Sequence, residues 1–268
     1  RDVAVGLVGS EMCIRDRLNY LRETGQLDNT LIIYLSDNGG EGLDVRGELS
    51  DPMATNWVKN NFSQDFNDIG NGDYFAFIGT DYAYAVSGGL NWWKWFIGEG
   101  GVRVPLIVVP PKNRAFAHGA QKTDEFVSVK DIPMTILDYA GAPHPGANYK
   151  GRTLAQPSGL SMRDYLEGSK DQPRTEGDWY AFELFGNAYV VAGDYKAIRV
   201  RTGMYGDGKW HLYNIRKDPG ETQALDEADP ARLQQLIAIY DRFAEEKGIV
   251  PVAENWNPWH GFLDEEDL

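Results

Sequence analysis

An uninterrupted apolar run, Thr30-Leu-Ile-Ile-Tyr-Leu35, stops abruptly at Ser36-Asp-Asn-Gly-Gly40, and this junction limits the folds open to the chain. Aliphatic and β-branched residues without polar alternation predict a strand buried on both faces, as in a parallel sheet. Open α/β sheets place their ligands in the crevice beyond the carboxyl ends of such strands. Asp37 and Asn38 stand at that point. A carboxylate and an amide carbonyl are hard oxygen donors, suited to Ca²⁺ or Mg²⁺ rather than zinc. Gly39 and Gly40 let the backbone turn sharply, so that both side chains could converge on one ion. The same residues are also common turn chemistry, so a metal site and a plain strand-to-loop junction both remain open.

With 268 residues the chain can bury a sizeable core, as one large domain or two small ones. A net charge of −14 argues against a nucleic-acid or anionic-membrane surface, which needs clustered Lys and Arg. Cys13 is the single cysteine, which rules out an internal disulfide framework or a cysteine-based metal cluster. No run approaches the roughly twenty apolar residues that span a bilayer.

Residues 1–17 carry no clear period and resemble a translated sequencing adapter, so native sequence is expected from about Leu18. Leu18, Leu21 and Leu27 mark a short amphipathic helix with Gly25 near its end. Residues 41–90, rich in Asn, Asp, Gly, Phe and Tyr, form a connection long enough to be functional or to carry small elements. A second apolar strand is predicted over 102–110, with Pro105 interrupting its start, and a helix from about Asp131 to Ala140. The Gly/Pro-rich passage 141–159 marks a boundary. Beyond it, strand-like runs at Trp179–Phe185, Tyr189–Val191, Lys196–Val200 and Trp210–Tyr213 predict a small antiparallel sheet. Asp229-Pro230 caps a last helix whose stripe of Leu233, Leu236, Ile237, Tyr240 and Phe243 is expected to pack on that sheet. The Trp- and Pro-rich tail, 249–268, is expected to wrap the body irregularly.

The second informative stretch is Asn91-Trp-Trp-Lys94-Trp-Phe-Ile-Gly-Glu99-Gly-Gly-Val-Arg103-Val-Pro105. A lysine among aromatics is commonly solvated or stacked on an indole face. Taken with Ser36-Asp37-Asn38-Gly39 upstream, however, the stretch resembles the sulfatase family of the alkaline-phosphatase-like superfamily. Val127-Ser-Val-Lys-Asp131-Ile-Pro-Met-Thr135, Trp210-His-Leu-Tyr213 with Asp218-Pro219-Gly-Glu221, and Leu225-Asp226 are similar to further family motifs in the same order. The long aromatic insert at 60–95 and the closing helix resemble those of bacterial arylsulfatases in particular. The resemblance covers about residues 18–250.

It implies an α/β fold: a partial alkaline-phosphatase-like sandwich with a mixed, mostly parallel sheet over 18–150, then a C-terminal α+β subdomain with an antiparallel sheet and packed helix over 151–268. It implies a sulfuric ester hydrolase acting on an aryl sulfate or a sulfated carbohydrate. Asp37 and Asn38 would ligate calcium, with magnesium possible, and Lys94 would contact the substrate sulfate. The family's nucleophile, a formylglycine made from Cys/Ser-x-Pro-x-Arg, has no match. Cys13-Ile-Arg-Asp-Arg17 mimics the spacing, but Arg15 stands where the proline belongs, so Cys13 is read as a decoy. The chain therefore reads as the C-terminal half of such an enzyme, inactive alone and weak in metal affinity, with formylglycine expected in the missing N-terminal half. Rival readings are a phosphomonoester, phosphodiester or phosphonate hydrolase of the same superfamily, and a non-catalytic carbohydrate- or ion-binding module suggested by the eight Trp. Glu99 is expected in a structural turn, Arg103 against a buried carboxylate, Asp131 as a cap or structural partner, and His118, His144, His211 and His260 as surface or loop residues.

Overall fold

The computed structural model describes residues 5–42, 52–114, 116–117, 119, 121–144, 146–175, 177–202, 205–253 and 256. The chain packs into two units, one of residues 1–35 with 106–175 and one of residues 36–105 with 176–268.

In the first unit, helix α1 runs Val5–Glu23, strand β1 Ile32–Leu35, and β2, later in the chain, Leu106–Val109. The helix runs through residues 5–17, which carry no period in the sequence. Side chains 12–17 are all exposed, so good helix formers such as Met12, Arg15 and Arg17 hold a turn-by-turn helix there without burying an apolar face. Gly25, at φ 69°, follows its end. The strand reading also changes. β1 pairs antiparallel with β2, Ile33 opposite Val108 and Tyr34 opposite Ile107, and Tyr34 is 50% exposed. A continuous apolar run signals a strand but does not fix the direction of its neighbour. The second strand is shorter than expected, because Val102 ends a helical turn and Pro105 brings no N–H to a ladder.

Helix α5, Asp131–Tyr139, follows β2 as predicted. The carboxylate of Asp131, 2% exposed, accepts from the Ser128 N–H at 2.7 Å, the Leu160 N–H at 2.7 Å and Arg174 Nη2 at 2.7 Å. It is a buried structural anchor. A short hairpin, β3 (Asn148–Tyr149) with β4 (Arg152–Thr153), and helix α6 (Arg163–Leu166) complete this unit.

The second unit carries helices α2 (Pro52–Asn61) and α3 (Gly79–Val86) within the long connection 41–90, and a four-residue helix α4 (Glu99–Val102). Its centre is an antiparallel sheet in the order β5 (Trp179–Leu184), β6 (Asn187–Ala192), β7 (Tyr195–Arg199) and β8 (Trp210–Asn214). Asp229 caps helix α7 (Pro230–Lys247) by accepting from the Arg232 N–H. Leu233, Leu236 and Tyr240 pack on Ala181, Ala188, Val190, Ala197 and Leu212, which alternate onto one face of the sheet. Each fully buried leucine there contributes about 2 kcal/mol of transfer free energy. The opposite face carries Tyr189, Val191, Lys196, Ile198, His211 and Tyr213, as the register requires. Of the tail, Ala253 and Trp256 offer their carbonyls to Arg201. No helix among the described residues is long and apolar enough to cross a membrane.

Candidate functional site

Asp37, Asn38 and Lys94 lie in the same unit, and the backbone draws them together. The Gly39 N–H donates to Gly101 O at 3.0 Å, and the Lys94 N–H donates to Gly40 O at 2.9 Å. Glycine is required where these segments meet: a Cβ on Gly39 would fall 1.8 Å from Gly100 O, and one on Gly100 would fall 2.1 Å from Trp92 O. The Asp37–Gly40 loop therefore rests directly on the backbone of α4, with no side chain between them.

Within the loop, Asp37 Oδ1 accepts from the Asn38 N–H at 3.0 Å, and Ser36 Oγ donates to Asn38 O at 3.0 Å. Asn38 Nδ2 donates to Gly39 O at 2.8 Å, which leaves Oδ1 as its atom for a ligand. A carboxylate and an amide oxygen side by side suit a hard divalent cation. They supply two donors of the roughly six to eight that calcium takes. Among the described residues no group of three or more His, Cys, Asp or Glu could hold a metal. The donor chemistry thus fits part of a shell.

Lys94 Nζ sits 3.1 Å from Glu41 Oε2 and 5.3 Å from the centre of the Trp95 ring. Trp95 Nε1 donates to the same Glu41 oxygen at 3.2 Å. The Lys94 side chain is 35% exposed, and its ammonium lies over an indole and faces a carboxylate, so an incoming anion has Glu41 as its competitor. Trp92 and Trp95 both adopt left-handed backbone, at φ 67° and 79°. Bulky residues hold that conformation only where their surroundings enforce it.

Glu99 is buried behind the loop. Lys196 Nζ lies 2.9 Å from Glu99 Oε1 and 2.9 Å from Glu221 Oε1, and the Glu99 N–H donates to Glu221 Oε2 at 2.9 Å. Burial raises the Glu221 pKa, opposed by Lys196 and reinforced by Glu99. For Lys196 burial acts to lower the pKa, but the two glutamates outweigh it and the net shift is upward. Arg103 Nη1 reaches Glu99 Oε2 at 3.6 Å, the buried-carboxylate partnership read from the sequence.

A cavity of about 180 Å³ in the same unit is lined by Asn91, Trp92, Tyr205, Asp207, His211 and Glu221 among others. His211, read as a surface residue, instead bridges two acids: Nδ1 lies 2.7 Å from Asp226 and Nε2 3.1 Å from Asp207. Burial works against its proton, yet these two partners raise its pKa above the ordinary value. His144 Nδ1 accepts from the Gly146 N–H in a turn. His118 and His260 lie outside the described residues. Cys13 is exposed within α1.

Sequence reasoning did not find Glu41, Lys196 or Glu221 as neighbours of the site. Glu41 follows the glycine pair directly and was the most accessible signal. Lys196 gave none, since a lysine alternating with apolar residues in a strand normally marks the wet face.

The family model for sulfatases matches residues 7–142. An uncharacterized sulfatase of Schizosaccharomyces pombe is 34% identical over 241 residues, covering 89% of this chain and 42% of that protein. Human steryl-sulfatase is 26% identical, covering 90% of this chain and 40% of its own length. A solved structure from Bacteroides thetaiotaomicron, described under metabolism of multiple glycosaminoglycans, superposes with a TM-score of 0.57 at 20% identity, over 87% of this chain and 42% of that one. The chain thus spans about two-fifths of the length of the curated relatives it matches. With its family model matched over half its length, and relatives aligned along nearly all of it, this chain belongs to the sulfatase family.

Proposed function

We propose that this chain supplies one part of the active site of a sulfuric ester hydrolase. In it Asp37 and Asn38 are oxygen ligands of a divalent cation, calcium in preference to magnesium, and Lys94 binds the sulfate of the substrate. The observation that carries this reading is the backbone junction that ties Asp37–Gly40 to Lys94 and to Glu99–Gly101 within one unit.

The chemistry of each residue suits its role. A cation held there would polarise a sulfate oxygen and stabilise charge on the reacting group. Lys94, a compact ammonium on a flexible stem, can leave Glu41 for a sulfate oxygen and offset negative charge as the S–O bond breaks. Trp95 offers its ring face to the ammonium at 5.3 Å. The nucleophile, a formylglycine in this family, and the remaining metal ligands come from outside the residues described. The substrate is a sulfate monoester. The steryl group in the name of one relative and the glycosaminoglycans associated with one solved structure are different organic groups, so the sulfate is the shared determinant.

Metal removal tests the assignment in the intact enzyme that carries this segment. Chelation is expected to abolish turnover and calcium to restore it better than magnesium. Asp37→Ala is expected to raise the calcium concentration needed for half-recovery by about tenfold or more, and Lys94→Ala to leave that midpoint in place while lowering turnover about a hundredfold. Recovery identical in Asp37→Ala and wild type would contradict the ligand role.

A further inference from the structure

We propose that Lys196, together with Glu221, is a positioning residue for the sulfate and metal site, acting through Glu99 on the α4 turn against which the Asp37–Gly40 loop rests. The proposal rests on the roles of Asp37, Asn38 and Lys94 given above.

A turn of sequence Glu-Gly-Gly-Val cannot hold itself. Four residues are too few to nucleate a stable helix, and each glycine costs about 1 kcal/mol relative to alanine. Its position must come from outside. Lys196, fully buried, grips the Glu99 side chain, and Glu221, 4% exposed, accepts the Glu99 N–H that the helix start leaves unpaired. Both anchors stand on or beside the C-terminal sheet: Lys196 is paired with Val191 and Tyr213 in the centre of the ladder. The turn is therefore tied to a rigid element through both the side chain and the N–H of Glu99.

What leans on the turn has no slack. Gly39 meets Gly100 and Gly101 backbone on backbone, Gly100 donates to Asn91 O at 2.6 Å, and Gly101 is packed so that a Cβ would fall 2.3 Å from Phe96 O. A displacement of α4 cannot be absorbed by a side chain changing rotamer. It passes to Gly39, then to Gly40, and through Gly40 O to the Lys94 amide. Charge is what this arrangement needs at position 196. A buried lysine between two glutamates is seldom more stabilising than packed apolar groups would be, but it fixes a single geometry because both carboxylates must face one ammonium. Without it Glu221 would lose its ammonium and Glu99 would keep Arg103 at 3.6 Å.

The test uses the full chain with terbium(III) as the metal probe, read by luminescence sensitised by tryptophan, and amide hydrogen exchange resolved at Gly39 and Lys94. Lys196→Met is expected to speed exchange at those two amides about tenfold and to weaken terbium binding by a similar factor, while the β5–β8 ladder keeps its protection. Unchanged exchange and affinity would overturn the proposal, and so would uniform loosening of every amide, which marks a residue that merely holds the fold. Should Lys196→Met fail to fold, Glu221→Gln decides by the same criteria, since it keeps an oxygen for the Glu99 N–H while removing one charge. Asp37→Ala separates the two levels of the argument. If it binds terbium as wild type does, the metal assignment fails, and the exchange at Gly39 and Lys94 still decides the positioning role.

Discussion

Gly39 shows how a single residue type decides this site. Its amide bonds Gly101 O, and its missing Cβ is the space that Gly100 O fills. Gly39→Ala is expected to cost about 3 kcal/mol, as overpacking against fixed backbone does, measured by denaturant unfolding. Glu41 is expected to set affinity at the same scale. Glu41→Gln removes the carboxylate facing Lys94 and is expected to lower the KM for a sulfate ester two- to threefold, the modest effect usual for a half-exposed ion pair. An unchanged or raised KM would show that Glu41 does not compete with the anion. Asp37, Asn38 and Lys94 could be singled out in the sequence because their spacing resembles family motifs, although their roles await the measurements proposed above. Lys196 could not, because its meaning depends on two glutamates 97 and 25 residues away that only the folded sheet brings to it.

Elements were legible where burial imposes a period. The closely spaced strand-like runs in 179–214 and the stripe from Leu233 to Phe243 predicted the antiparallel sheet and the helix packed on it, and both are present. Leu212→Ala, a wholly buried position facing α7, is expected to cost about 2–5 kcal/mol in thermal or denaturant unfolding. Elements were illegible where no period exists. Helix α1 crosses residues read as aperiodic, and the apolar run of β1 could not reveal its antiparallel partner. The β8 strand also carries a pH signature. His211 has a raised pKa, so the stability it contributes is complete below its ordinary 6.5 and is lost as pH rises through the higher folded value. Asp207 is lowered, chiefly by the Lys209 N–H, so its contribution is present above 3.8 and lost on acidification. Unfolding midpoints are therefore expected to decrease as pH rises above about 6.5, and His211→Gln to flatten that slope. A slope unchanged in the variant would contradict the bridge to Asp207 and Asp226.

At the scale of the whole molecule, the chain spans about two-fifths of the length of the curated relatives named above, and under the proposed function it would supply two hard oxygen donors and one ammonium, from loops resting on a turn whose Glu99 pairs with the buried Lys196. The proposed role of these residues is sulfate-ester hydrolysis. The most direct measurement is turnover of an aryl sulfate beside the matching aryl phosphate by the intact enzyme containing this segment, for wild type, Asp37→Ala and Lys94→Ala. Preferred sulfate turnover, lowered about a hundredfold or more by each substitution, is the predicted result. Preferred phosphate turnover, or sulfate turnover indifferent to both substitutions, would contradict it.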